Sequence, residues 1–310
     1  MSEVAAAGDL LDDRAYGDLL ARRVDDPASL RAALKDRKSA GRLVPADGRM
    51  FLIAADHPAR GANAVGEHPL AMANRRDLLT RLMITLSDPG CDGIMASADV
   101  LEELAVLQLP DGSSVLDGKI VIGTMNRGGL AGSSWELDDG HTAYSADGIA
   151  AANLDGGKML LRIHDTDPGT ASTLELCARY VTELAGHDLM AMVEPLPYAT
   201  NDAGRHHLVD DTERLIRCVG IANGLGETSS RTWLKLPAST EIEQVMAATT
   251  MPGLILGGAP GPDPATAYAA WERALAVENV RGLVVGRTLL YPPDGAVATA
   301  VGTAASIVHG

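Results

Sequence analysis

The hydrophobic positions change rhythm near residue 50. Before it, apolar residues recur at helical spacing: Leu10, Leu11, Tyr16, Leu19 and Leu20, then Leu30, Ala33 and Leu34. Residues three and four apart share one face of a helix, so both stretches predict amphipathic helices. Asp26-Pro27 supplies a cap and a first-turn proline for the second. From Met50 onward, short apolar runs alternate with longer amphipathic segments. Runs at 50–56, 93–96, 120–124, 158–165, 189–194, 232–236, 253–256 and 282–285 predict eight strands, with helices at 70–86, 170–184, 209–222 and 264–277. Eight strand-helix units in about 260 residues predict an α/β fold, a (β/α)8 TIM barrel over 50–310 with an N-terminal helical extension over 1–49. An open doubly wound sheet would use fewer strands. No Gly-x-Gly-x-x-Gly follows the first strand, which argues against a dinucleotide-binding fold.

Composition narrows the partners. Of 310 residues, 46% are hydrophobic and 22% charged, enough for one large core. Aromatic residues make up 3%, which leaves few platforms for stacking bases, and the net charge of −15 repels polyanions. Nucleic acid is not expected as a partner. The start Met-Ser-Glu-Val lacks the pattern of a signal peptide, and no apolar run reaches the roughly 18 residues of a membrane span. Cys91, Cys177 and Cys218 lie far apart without metal-ligand spacing, as reduced thiols do in a cytoplasmic protein. The expectation is a cytoplasmic protein with no membrane partner.

A barrel places its chemistry at the C-terminal ends of its strands. Asp56-His57 ends the first strand; Arg162, His164 and Asp165 end the fourth; Glu194 ends the fifth; Lys235 lies in the sixth. Gly257-Gly258 follows the seventh and Gly286-Arg287 the eighth. Lys235 is one of five lysines and sits in Trp-Leu-Lys-Leu-Pro, a segment whose other members favour burial. Burial lowers an ammonium pKa from about 10.4 and frees an amine nucleophile, the requirement for Schiff-base chemistry. By itself, Leu-Lys-Leu reads equally as a lysine whose stem lies on apolar surface with its amine in water. Asp56 before His57-Pro58 reads as a loop cap or a functional carboxylate, and Glu194 before Pro195 as a solvated loop residue or a proton carrier. Lys158, after Asp155-Gly156-Gly157, reads by itself as a solvated residue at a strand mouth. The segment 256–261 could cradle a phosphate on its backbone amides. With Val284-Val285-Gly286-Arg287-Thr288 after the next strand, it matches where barrels commonly hold phosphate.

At these residues the chain resembles the class I, Schiff-base aldolases of the (β/α)8 superfamily, the tagatose-bisphosphate and archaeal-type fructose-bisphosphate groups. Leu52-Ile53-Ala54-Ala55-Asp56-His57-Pro58-Ala59-Arg60-Gly61 is similar to their first-strand aspartate motif. Gly157-Lys158-Met159-Leu160-Leu161-Arg162-Ile163-His164-Asp165 resembles a fourth strand in which a lysine precedes Leu-Leu-Tyr-Tyr-Asp. Met192-Val193-Glu194-Pro195 resembles the strand ending in a catalytic glutamate, and Leu234-Lys235-Leu236-Pro237 the Schiff-base strand. The likeness runs in order from about 50 to 295, though each motif is short. Arg162 and His164 stand where tyrosines or other residues are expected, and the acidic residue after the Schiff-base lysine is absent. The stretch Val285-Gly286-Arg287-Thr288-Leu289-Leu290-Tyr291-Pro292 further resembles actinobacterial deoxyribose-phosphate-aldolase-like barrels linked to inositol catabolism.

The resemblance implies an aldehyde-lyase acting on a phosphorylated sugar, with 2-deoxy-5-keto-gluconate 6-phosphate as candidate, cleaved to dihydroxyacetone phosphate and malonate semialdehyde. Lys235 would be the nucleophile and Glu194 the proton carrier, while Asp56 and Lys158 face the pocket and tune it. Arg162, Gly257, Gly258, Gly286 and Arg287 would hold the phosphate. Neither a metal nor another cofactor is expected, and such barrels commonly form homo-oligomers. Two rivals remain from the residues: a metal-dependent lyase or hydrolase using His57, His164 and Asp165, and a barrel that binds without turnover.

Overall fold

The structure is a computed structural model and describes residues 10–126, 129–258, 261 and 263–310. Helices α1 (Asp13–Asp25) and α2 (Pro27–Asp36) come first. They are followed by β1 (Met50–Ala54), α3 (Arg75–Ser87), β2 (Gly93–Ala96), α4 (Ala98–Val106), β3 (Ile120–Thr124), α5 (Ala146–Ala151), β4 (Gly156–Ile163) and α6 (Gly169–Gly186). Next come β5 (Met190–Thr200), β6 (His206–Leu208), α7 (Thr212–Asn223), β7 (Thr232–Pro237) and α8 (Ile242–Ala247). The chain ends with β8 (Gly253–Leu256), α9 (Pro264–Leu275), β9 (Val280–Val285), α10 (Arg287–Leu290) and α11 (Val297–His309).

All but β6 pair in parallel in the order β1, β2, β3, β4, β5, β7, β8, β9, and β9 pairs back with β1. Closure leaves no edge in this TIM barrel. Successive side chains point to opposite faces of a strand, so the barrel has two apolar populations. Met50, Leu52, Ala54, Met95, Ile120, Ile122, Met190, Met192, Leu254 and Val284 fill the interior. The alternate residues, such as Phe51, Ile53, Val121 and Val193, pack outward under the helices.

The N-terminal segment serves the base. Ala40, Leu43 and Val44 pack against the interior cluster. The fully buried Arg37 side chain pairs with Asp155 at 2.7 Å and donates to the carbonyls of Lys119 and Asn153. Leu19 is buried on α1, whereas Leu20 faces solvent, so only part of the expected apolar stripe is covered.

Three boundaries differ from the sequence pattern. Helix α3 begins five residues later than expected, because Asn74 caps it by accepting from the Asp77 amide, and Leu70 stays exposed. Helix α7 likewise starts after Asp211, which caps it. Strand β5 does not stop at Glu194 but continues through Pro195 and Pro197 to Thr200, where it forms an antiparallel lip with β6. Proline lacks the N–H a central strand needs. Pairing with β7 is last seen at Val193, so beyond it one side of β5 has no ladder to disrupt. Among the described residues, no helix is long and apolar enough to cross a membrane.

Candidate active site

Four ionisable side chains converge inside the C-terminal mouth of the barrel. Asp56 continues the inward series Met50, Leu52, Ala54 past the end of β1. Lys158 pairs in register with Thr124 on β3 and Met192 on β5, one interior layer below Glu194, which lies opposite Leu160. Its four-carbon stem bridges that step. Lys158 Nζ reaches Glu194 Oε2 at 2.8 Å and Asp56 Oδ2 at 3.1 Å. Lys235 of β7 approaches from the other side, with Nζ 3.0 Å from the same Glu194 oxygen. Exposure is 2% for Lys158, 5% for Asp56, 6% for Lys235 and 7% for Glu194, so these charges interact with little solvent screening.

Burial and neighbours pull the four groups apart. Burial alone disfavours every charge here. For Lys158 it is outweighed by Asp56 and Glu194, which hold the ammonium above its ordinary pKa. For Lys235 burial wins: Glu194 opposes it, but the cationic Lys158 adds to it, and the amine is shifted down. Glu194 is buried too, yet Lys158 and Lys235 hold its carboxyl at about 2. Asp56 is also held below the usual carboxylate range, burial being overcome chiefly by Lys158. The arrangement contains one permanent cation, two carboxylates and one amine biased toward neutrality.

His57 borders this cluster. Its Nδ1 lies 3.7 Å from Asp56 Oδ1, too far for a hydrogen bond, and is buried with no hydrogen-bond partner. The imidazole rests against Gly286, where a Cβ would come within 2.8 Å of His57 Cε1 and 2.5 Å of the Ala54 carbonyl oxygen. Gly286 therefore makes room for the ring. Beyond it stand Arg60 and Arg287. Neither forms an ion pair among the described residues, and the buried Nε of each lacks a partner. Arg287 donates to the Ala64 carbonyl at 3.3 Å, and burial together with Arg60 lowers its pKa. Two guanidiniums without carboxylates, beside glycine-lined strand ends, form a place for an anion. Arg60 was not among the residues singled out above, although it stands inside the first-strand motif.

The other sequence candidates divide. Gly257 follows β8, where a Cβ would strike Val285 at 2.5 Å, and Gly258 adopts φ +66, a left-handed conformation natural to glycine. Ala259 and Pro260 of the expected cradle lie outside the described residues. The start of α9 is occupied by its own cap, Asp263, which accepts from the Ala265 amide. Arg162 is committed elsewhere: it pairs with Glu136 at 3.1 Å, donates to the Glu136 carbonyl and lies over the Tyr198 ring. His164, Asp165 and His57 do not meet. His164 contacts Thr200, which also contacts His206, while the exposed Asp165 pairs with Arg217 outside the mouth. Among the described residues no three His, Cys, Asp or Glu side chains are grouped to hold a metal ion.

Comparisons with known proteins agree with this architecture. A family model described as Cgl0159-like matches residues 48–305. The crystal structure of Cgl0159 from Corynebacterium glutamicum is 46% identical, covering 96% of this chain and 98% of that one, with a TM-score of 0.91. An archaeal fructose 1,6-bisphosphate aldolase superposes with a TM-score of 0.61 at 17% identity, over 91% of this chain and 99% of that one. A Schiff base-forming fructose-1,6-bisphosphate aldolase gives 0.58 at 17% identity, over 90% and 99%. These two likenesses establish an aldolase-like barrel fold. No curated protein matches the chain.

Proposed function

The chain belongs to the Cgl0159-like family, and on that footing we propose that it is a class I aldolase, cleaving a phosphorylated keto sugar through a Schiff base on Lys235. The observation that carries this reading is the shared contact of Lys235 and Lys158 with Glu194 Oε2. A cation held beside a buried amine favours the neutral nucleophile, and a carboxylate touching both can move the protons that amine addition requires.

In this mechanism Lys235 gives its proton to Glu194 and attacks the substrate carbonyl. The carbinolamine oxygen takes up protons through Glu194 and leaves as water, forming the iminium. Lys158 stays charged and, with Asp56, aligns the substrate hydroxyls. The Cα–Cβ bond then breaks, its electron pair entering the iminium to form an enamine. Protonation at Cα and hydrolysis release the ketone and regenerate Lys235. Arg287, with the glycine loops at 257–258 and 286, holds the phosphate; Arg162, tied to Glu136, braces the mouth. The substrate we favour is 2-deoxy-5-keto-gluconate 6-phosphate, cleaved to dihydroxyacetone phosphate and malonate semialdehyde.

The test is borohydride trapping with 2-deoxy-5-keto-gluconate 6-phosphate, fructose 1,6-bisphosphate and dihydroxyacetone phosphate, followed by peptide mass spectrometry. A reduced adduct on the peptide containing Lys235, absent in Lys235→Met, is expected. Turnover of any of these sugars without such an adduct removes the mechanism.

A further inference from the structure

Cleavage of the Cα–Cβ bond needs a base for the β-hydroxyl proton, and the groups already placed serve poorly. Glu194 Oε2 is shared by Lys158 and Lys235 and is already occupied with the protons of carbinolamine formation, and Asp56 is paired to Lys158. A tyrosine hydroxyl does not fill the gap: Tyr198, on the lip strand, lies under the Arg162 guanidinium.

We propose, resting on the Schiff-base reading above, that His57 takes the β-hydroxyl proton of the Lys235-bound substrate and returns it to Cα of the enamine. The geometry supports this in three ways. The imidazole lies against Gly286, the neighbour of Arg287, and 3.7 Å from Asp56 of the lysine cluster, so it stands between the cluster and the arginine pair. Its backbone is fixed, because its carbonyl accepts from the amides of Arg60 at 3.2 Å and Ala62 at 3.1 Å. Its Nδ1 faces Asp56 Oδ1 at 3.7 Å while Asp56 Oδ2 is taken by Lys158. At that distance Asp56 makes no hydrogen bond to the ring and acts on it only through its charge, which favours the proton on the nearer Nδ1 and leaves the Nε2 lone pair as acceptor.

The charges facing His57 are Asp56, Arg60, Arg287 and Lys235. Burial and the three cations outweigh Asp56 and lower the imidazole to about 3, so the resting ring is neutral. A phosphate dianion on Arg60 and Arg287 offsets their share of the lowering and makes the ring a better base.

The step balances. Nε2 gains the hydroxyl proton, Cβ–O becomes a carbonyl, and the Cα–Cβ pair becomes the enamine. After the aldehyde leaves, the imidazolium protonates Cα and is restored. No oxidant or other reactant is required.

The experiment compares wild type with His57→Gln and His57→Asn, using the three sugars named above. Expected are an undiminished borohydride adduct on Lys235, turnover reduced by roughly 100-fold or more, and an equal loss of Cα–H exchange of dihydroxyacetone phosphate in D2O. Inorganic phosphate should also raise the midpoint of the His57 Cε1–H resonance in wild type, and Arg287→Ala should abolish that shift. Turnover within threefold of wild type in either variant overturns the role of His57 while leaving the Schiff base intact. Loss of adduct together with turnover assigns His57 a structural part instead. Absence of any adduct in wild type removes the Schiff-base reading, and this inference falls with it.

Discussion

Lys158 and Lys235 touch the same atom, Glu194 Oε2, at 2.8 and 3.0 Å. The symmetry is broken by Asp56, which adds a second carboxylate to Lys158. One lysine is therefore stabilised as an ammonium, and the other is pushed toward the free amine. Two residues of one type gain different chemistry from their neighbours alone.

Replacing Lys158 with Met removes that cation and leaves Glu194 to pair with Lys235. Lys235 then becomes more basic, and the pH profile of borohydride trapping moves to higher pH. A shift of one unit lowers the adduct rate at pH 7 about tenfold. The same change leaves Asp56 buried without its partner and costs about 3–5 kcal/mol of stability, measured by urea unfolding. An unchanged trapping profile in a folded variant counts against electrostatic tuning by Lys158.

Arg287 forms no ion pair among the described residues, and beyond its bond to the Ala64 carbonyl its guanidinium has donors to offer an anion. Arg287→Ala should raise KM for a phosphorylated ketose with a smaller change in kcat. A hydrogen bond to a charged group is worth about 1.5–3 kcal/mol, roughly ten- to a hundredfold in KM. Arg60→Ala should act in the same direction. Steady-state kinetics with the corresponding unphosphorylated sugar provides the control, because its KM should not move.

Most of the barrel was legible because buried parallel strands leave short apolar runs between amphipathic helices. Local chemistry overrides periodicity at three places: Asn74 and Asp211 decide where α3 and α7 start, and the lip of β5 runs through two prolines that look like a strand end. Lys158 was ambiguous for a related reason. Two glycines before it resemble a solvated turn, and only the register with Thr124 and Met192 turns it inward. Arg60 and His57 escaped assignment as a pair because their meaning depends on Arg287 and Gly286, more than 200 positions away.

Gly286 is a packing requirement. A methyl there would lie 2.5 Å from the Ala54 carbonyl oxygen and 2.8 Å from the His57 ring. The backbone oxygen belongs to a closed barrel and cannot retreat, so the imidazole or the β9 loop must move. Gly286→Ala should cost about 1–3 kcal/mol in thermal unfolding and lower kcat by at least tenfold. Gly258→Ala differs, because open space surrounds its Cβ and only the left-handed φ of +66 is strained. It should cost about 1 kcal/mol.

The buried cluster also sets the acid limit of the fold. Glu194, ordinarily near 4.5, is depressed to about 2 in the folded chain. A depressed carboxyl contributes stability that is complete above its unfolded pKa and is lost as pH falls toward the folded one. For Glu194 that window runs from 4.5 down to about 2. His57 adds loss at higher pH: unfolded it binds a proton near 6.5, whereas the folded ring stays neutral to about 3. Between those values the unfolded chain carries the extra proton, so stability declines as pH falls. The differences are roughly 2.5 pKa units for Glu194 and roughly 3.5 for His57, which at about 1.4 kcal/mol per unit come to on the order of 8 kcal/mol. Unfolding free energy should therefore begin to drop just below pH 6.5 and fall more steeply below pH 4.5. His57→Gln should make the upper part of the decline shallower, with His141, which burial lowers to about 4, supplying the rest, and leave the part below pH 4.5. Denaturant unfolding at half-unit pH steps separates the two, and an identical upper slope in the variant would show that His57 is not the group responsible.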